Sequence, residues 1–522
     1  MTKTIACEDL ATLLASDKLY AMFDVRERGE FNDCQIAGAT SLPRSQIEFR
    51  AAELVPNPTI PLVLYDEGGA RAQLAAATLA AAGYIDISLL EGGLSAWQKE
   101  KFPTVSGVNV PSKAFGEKVH RDRQIPEVTP EELKKLKEQR DDVLIFDTRT
   151  PEEFQRFCIP GGNNVPGGDL IHWVDTLSQN PELPVVVNCA GRTRSIIGTA
   201  ALQRLGLKNV RALKNGTMGW VLAGYDLELR PARAVFTPPP GSREKAGELA
   251  LRVAEEEEIF LISPEDMLAS FNDKAGVNYL IDVRSEPEYE SGHVPGSISV
   301  PGGQAVQRAD DFIAVPNGRI VFISNAPARA VMAAYWYRQM GFRDVAVLRG
   351  GLHAWRAAGR PLVSGLKQNE PLGFSQAVKT VRLVAPEEAR SRSQSPSLLI
   401  LDVGSSTDYE SGHVPGARWI SRGWLDLELG SHVSDFGQTI LLTCRDGRRS
   451  VLAARTLRNL GYKNCLSLNG GTEGWLAAGY PAEKGLTHCL SEANDVVLSP
   501  SIKGDKAAMR QYLDWEIELE KG

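Results

Sequence analysis

Cysteine is scarce in this chain. Seven residues in 522 are cysteine, namely Cys7, Cys34, Cys158, Cys189, Cys444, Cys465 and Cys489. The number is odd and no Cys-x-x-Cys pair occurs, which excludes a disulfide framework and fits a reducing compartment. Basic tracts are also missing. The net charge is −7, so nucleic acid is not an expected partner. No apolar run is long enough to span a membrane, and no charged-then-apolar N-terminal signal is visible, so a cytoplasmic protein without a membrane partner is expected. Neither a metal-ligand cluster nor a nucleotide-binding loop stands out, so no metal and no cofactor is expected.

What the chain does contain is a strict repeat. An aspartate closes an apolar run at Asp24, Asp147, Asp282 and Asp402. Forty-two residues later, after a second apolar run, stand Asp66, Cys189, Ser324 and Cys444. A further 31 residues on stand Trp97, Trp220, Trp355 and Trp475. Such a register does not arise by chance, and the chain reads as four copies of one domain. Their limits are 1–106, 126–230, 259–364 and 380–484, and 485–522 forms a tail. Each copy is large enough to bury its own core.

Within a copy, strand and helix signals alternate. Thr129-Pro130-Glu131-Glu132 and Ser263-Pro264-Glu265-Asp266 are helix starts, with a cap, a proline and acids in the first turn. Ala385-Pro386-Glu387-Glu388 lacks the capping hydroxyl. The strand segments are almost wholly apolar, as for strands covered on both faces. The class is therefore α/β, each domain a mainly parallel sheet flanked by helices. The stretch Pro231 to Glu258, with its Pro-Pro-Pro-Gly and its glutamate run, reads as a linker between two halves. Thr104 to Glu127 reads as the joint between copies one and two. The tail ends in a helix from about Lys506 to Lys521. Its apolar face (Met509, Tyr512, Leu513, Ile517) is expected to dock on the body of the protein.

The chemistry concentrates in two loops, Cys189-Ala190-Gly191-Arg192-Thr193-Arg194-Ser195 and Cys444-Arg445-Asp446-Gly447-Arg448-Arg449-Ser450. In both, a cysteine ends a buried strand and a short turn runs straight into a helix. Loop N–H groups and the helix N-terminus converge there, favouring a bound anion and a thiolate with a pKa of about 3.5 to 7.5. A buried cysteine of no function is the plainer reading, but the basic loop argues against it. Arg71 and Arg329 persist in the loops without cysteine, which favours a bracing role for their counterparts Arg194 and Arg449. The repeated aspartates persist there too, so they are expected to be structural. The tryptophans are expected in the core.

These motifs resemble the rhodanese-like sulfurtransferase family over nearly the whole chain. The resemblance rests on Asp24-Val25-Arg26 and Asp282-Val283-Arg284, on the Gly-His-Val-Pro-Gly turns at Gly292 to Gly296 and Gly412 to Gly416, on the Cys-x4-Arg-Ser loops, and on the close from Gly470 to Pro481. It implies that Cys189 and Cys444 are catalytic. Each would take sulfane sulfur from thiosulfate or a related donor as a persulfide and pass it to cyanide, a thiol or a protein thiol. The substrate-binding residues implied are Arg149, Ala190, Gly191, Arg192, Thr193 and Arg194 at one site, and Arg445, Asp446, Gly447, Arg448 and Arg449 at the other. Tandem members place the cysteine in the second domain of a pair. Asp66 then Cys189, and Ser324 then Cys444, accordingly read as two tandem modules.

Two departures stand out. Gln35 and Cys158 replace the turn histidine in the first two copies. Gly404 replaces the strand-end arginine in the fourth, so equal donor preference at the two sites is not expected. A phosphatase of similar fold would need a loop one residue longer. A module that carries persulfide to a partner protein is the alternative reading.

Overall fold

The computed structural model describes residues 3–271, 276–366 and 370–519. Each repeat forms a five-stranded sheet whose neighbouring strands all run parallel. In the second repeat the order across the sheet is Glu127–Val128, Val210–Leu213, Val185–Asn188, Leu144–Asp147 and Asn163–Asn164. The other three sheets follow the same order. Strands buried on both faces explain the apolar runs that encode them: every residue of Val185–Asn188 is buried.

The sheet register places the site. The repeated aspartate ends one central strand and pairs with the last residue of the next, as Asp147 with Asn188 and Asp402 with Thr443. The loop position follows immediately. The aspartate therefore lies beside the loop in every domain.

The tryptophans fill the far side of each sheet. Trp97, Trp220, Trp355 and Trp475 are at most 3% exposed. Each donates its indole N–H to a carbonyl six residues on, at 2.8 to 2.9 Å. The glycine ahead of each tryptophan helix has a specific task. Gly471 has φ +58°, and a Cβ there would stand 2.1 Å from the carbonyl oxygen of Cys444. Gly216 meets Cys189 in the same way, at 2.4 Å. Only glycine lets this helix seat on the loop.

The chain divides into two compact units, Met1–Val108 with Gln368–Val497, and Asn109–Lys367 with Leu498–Gly522. The four domains stand in tandem along the chain, but the expected pairing of first with second and third with fourth is corrected. The first domain shares its unit with the fourth, and the second shares its unit with the third. Each unit still holds one cysteine loop and one loop without. The expected linker is also corrected in part, since Ser242–Glu256 is a helix. It buries Ala246, Ala250, Val253 and Ala254, and it packs on the helix Pro327–Gln339 of the third domain and on residues 170–178 of the second. The glutamate run is the exposed end of an amphipathic helix. The joint between the first two copies likewise contains a helix, Val110–Asp122. The tail helix spans Lys506–Glu518 and docks on the second domain through Met509 and Leu513. Its expected end at Lys521 lies outside the described residues.

Candidate active site

In the fourth domain the strand Thr439–Thr443 delivers Cys444 to the start of the helix Arg448–Asn459. The sulfur accepts the N–H of Ser450 at 3.4 Å and lies 3.7 Å from the Ser450 hydroxyl and 3.8 Å from Asp446 Oδ1. The Ser450 hydroxyl is held by the Gly447 carbonyl at 2.9 Å and by Ser467 at 2.8 Å. In the second domain Cys189 Sγ lies 3.5 Å from the Ser195 hydroxyl, which donates to the Arg192 carbonyl at 2.8 Å.

The thiols do not have the lowered pKa expected of them. Burial pushes Cys444 up to about 11, and nearby Asp402 and Asp446 add to the rise against the Ser450 N–H. Cys189 is also raised, first by burial and further by Glu516, against Arg194 and Ser195. Both cysteines are 2% exposed. In the closed pocket, loss of hydration outweighs the helix N-terminus.

The loop arginines divide into braces and one exception. Arg71, Arg194 and Arg329 each bind a glutamate 41 residues earlier: Glu30 at 2.6 Å, Glu153 at 2.7 Å and Glu288 at 2.6 Å. Arg194 is thus the expected brace. Arg449 is not. The residue 41 before it is Asp408, one methylene shorter, and among the described residues Arg449 makes no ion pair. Its guanidinium lies 5.6 Å from the ring centre of Phe49, which the first domain supplies. Arg448 binds Asp446 at 2.6 Å and also faces Phe49. Arg445, 67% exposed, binds Glu473 at 2.8 Å.

At the other site Arg192 is 4% exposed and bonded to Glu117 at 2.7 Å and to Glu127 at 3.3 Å. Arg149 is locked on Asp147 and on the Phe157 carbonyl, both at 2.7 Å. Arg26 and Arg284 hold Asp24 and Asp282 in the same way. Gly404 leaves Asp402 without such a cation. The indole of Trp419 donates to the Gly404 carbonyl at 3.0 Å. Asp402 is pushed up to about 7, chiefly by burial.

A family model, rhodanese-like domain, matches residues 7–100, 129–223, 263–358 and 385–478. The chain belongs to the rhodanese family. A crystal structure of a thiosulfate sulfurtransferase from Pseudomonas aeruginosa is similar at TM-score 0.92 and 35% identity, covering 99% of this chain and 97% of that one. A Bacillus subtilis protein named as a candidate sulfur carrier is 35% identical over 79 residues, 15% of this chain and 42% of that protein. The match thus spans less than half of that relative. A helix-turn-helix transcriptional regulator from Mycobacterium tuberculosis is 28% identical over 214 residues, 39% of this chain and 89% of that protein.

Seen as rhodanese loops, the four copies differ in ways the motif alone did not convey. The turn histidines His293 and His413 stack on Tyr289 and Tyr409, with Nδ1 near the same tyrosine's carbonyl, so they order the turn. Trp173 stacks on Phe236, and Arg71 lies over Trp424. Glu117, Phe49, Tyr512 and Glu516 were missed as site residues because each comes from outside its repeat. The aspartate at 408 was visible in the register, but its meaning depended on knowing that the other three glutamates clamp an arginine. No helix among the described residues is long and apolar enough to cross a membrane. No group of three or more His, Cys, Asp or Glu side chains placed for a metal ion occurs among the described residues.

Proposed function

We propose that this protein moves sulfane sulfur from thiosulfate or a related dianionic donor to a thiophilic acceptor, with Cys444 as the working nucleophile. One observation carries this reading. The Cys444 loop joins a thiol and the Ser450 N–H to an arginine, Arg449, that makes no ion pair among the described residues and whose charge is felt by the buried Asp402. The Cys444 thiolate attacks the outer sulfur of thiosulfate. An S–S bond forms to the enzyme, the donor's S–S bond breaks, and sulfite leaves with the bonding pair. Arg449 holds the sulfonate end, and the Ser450 N–H faces the sulfur that carries negative charge. Cyanide or a thiolate then attacks the outer persulfide sulfur and returns the thiolate. The likeness to a thiosulfate sulfurtransferase over almost the full chain supports this reading. All seven cysteines are free, which agrees with a cytoplasmic location.

The test is brief thiosulfate treatment followed by peptide mass analysis without reductant. One added sulfur on the Cys444 peptide, removed by cyanide and absent from Cys444→Ser, is the expected result. Sulfur found instead on Cys465 or Cys489 overturns it, as does turnover of a phosphate ester in place of thiosulfate. A second reading, delivery of persulfide to a partner protein, is favoured by the exposed Arg445 face at the mouth of the loop. It would show as full loading with poor turnover on small acceptors.

A further inference from the structure

The four loops share one geometry but not one occupant. In the first domain the cradle is filled from within. Asp66 Oδ1 accepts the N–H groups of Gly68 at 2.8 Å and Gly69 at 2.9 Å, and Oδ2 accepts that of Ala72 at 3.0 Å. A carboxylate therefore occupies the place where these loop amides would receive an anion.

In the second domain the carboxylate comes from the tail helix Lys506–Glu518. Glu516 Oε1 accepts from the Thr193 hydroxyl at 2.6 Å and from the Thr193 N–H at 3.4 Å, at the first turn of the helix that follows Cys189. Glu516 Oε2 lies 3.1 Å from where a Cβ on Gly191 would stand. It is buried and has no hydrogen-bond partner among the described residues. Tyr512 closes on the same glycine, its ring 3.5 Å from that point. The helix is fastened by Met509 and Leu513 against Met218, and by Lys113 over the rings of Tyr512 and Trp515. Every residue from Gly191 to Ala200 is buried, the tail helix closing over Gly191 and Thr193 while the helix Val110–Asp122 and residues 170–173 cover the stretch beyond. The Cys444 loop has no such cover, and Arg445, Asp446, Arg448 and Arg449 reach solvent to varying degrees.

We infer that the tail helix is an internal plug of the Cys189 site, with the Glu516 carboxylate standing where the anionic end of a donor would bind. Cys189 then takes sulfur only when the helix lifts, whereas Cys444 needs no such release. This rests on reading both cysteine loops as sulfur-transfer sites. Once uncovered, Cys189 would react with the same balance as Cys444, forming the persulfide and releasing sulfite.

The test uses the full chain and does not require sulfur chemistry. A timed iodoacetamide pulse at pH 8, followed by peptide mass analysis, compares Cys189 and Cys444, with buried Cys158 of the same domain as control. Cys189 should react at least about tenfold more slowly than Cys444, as expected for a site reached only through a minor open state. Glu516→Ala and Tyr512→Ala, made separately, should each raise the Cys189 rate by about tenfold and leave Cys444 and Cys158 unchanged. Equal rates at Cys189 and Cys444 in the wild type would overturn the plug. So would unchanged Cys189 rates in both variants, or a rise at Cys158 that matches the rise at Cys189. If the alkylation contrast holds but thiosulfate loads neither cysteine, the proposed function fails while the plug stands.

Discussion

Cys444 owes its state to burial, and Arg449 and Asp402 each owe theirs to a difference of one side chain. Burial holds the Cys444 thiol near 11. Its alkylation rate should therefore climb about tenfold per unit from pH 7 to pH 10, where a thiol with a lowered pKa would already have levelled off. Arg449 makes no ion pair among the described residues, because the carboxylate at its clamp position, Asp408, is one methylene shorter than glutamate and is held by Ser405 at 2.7 Å. Arg449→Ala should raise the KM for thiosulfate about tenfold with little loss of stability, the size of one charged hydrogen bond. Asp408→Glu should restore the clamp and raise KM in the same direction. Arg194→Ala should act on stability instead, because Glu153, held down to about 2 by that arginine, would lose its partner. Asp402, pushed to about 7, binds a proton in the folded state that it loses in the unfolded state above its ordinary pKa near 4. Stability of its unit should therefore fall as pH rises from 5 to 8. Asp402→Asn should remove up to roughly 3 kcal/mol of that fall between pH 5 and 8. Glu27, in the same unit, is also pushed to about 7 by burial and acts in the same direction, so a residual slope should remain. Denaturant unfolding at pH 5, 6.5 and 8 checks both the sign and the residue.

At the scale of elements, the joint between loop and tryptophan helix is the most constrained contact in each domain. Thr472 N–H donates to the Cys444 carbonyl at 2.8 Å, and Thr217 N–H to the Cys189 carbonyl at 2.8 Å. Gly471→Ala would push a methyl into that carbonyl, so it should cost more than the 1–3 kcal/mol of left-handed strain and should displace the loop. Gly416, with φ +77° and nothing within 4 Å of a Cβ, is the control. Gly416→Ala should cost only about 1 kcal/mol and leave sulfur transfer intact. Thermal melts paired with a thiosulfate–cyanide assay separate the two outcomes.

For the whole molecule, the pairing of domains is written at two register places. Twenty residues after the repeated aspartate stand Arg44 and Arg422, and four residues further on stand Glu48 and Asp426. These form a reciprocal pair of ion pairs, Arg44 to Asp426 at 2.6 Å and Arg422 to Glu48 at 2.9 Å, all four nearly buried. In the second and third domains the first place holds glycine, and Gly167-Gly168 packs against Gly302-Gly303, each added Cβ falling about 3.2 Å from the facing backbone. Their second place holds Ile171 and Val306. A first domain paired with the second would set Arg44 against Ile171, a buried charge without a partner. Arg44→Ala should therefore destabilise the unit of domains one and four by about 3–5 kcal/mol and leave the other unit's transition unmoved in calorimetry. Pairing it with Asp426→Ala should recover part of the loss.

Periodicity and register were enough to determine the α/β class, the fourfold repeat, the strand-end aspartates, the buried tryptophans and the two cysteine loops. All of these are local properties that recur every 120 to 135 residues, so four copies of the signal reinforce one another. Contacts between copies leave no such repeat. The partner of each domain, the state of Arg449, the raised thiol pKa and the closure of Cys189 by Glu516 depend on side chains that meet across long stretches of sequence. The Arg44 and Asp426 pair is separated by 382 residues, and Thr193 and Glu516 by 323. Only folding brings such groups within reach and removes the water between them, and it is that loss of water which decides both which charges must pair and which thiol stays protonated.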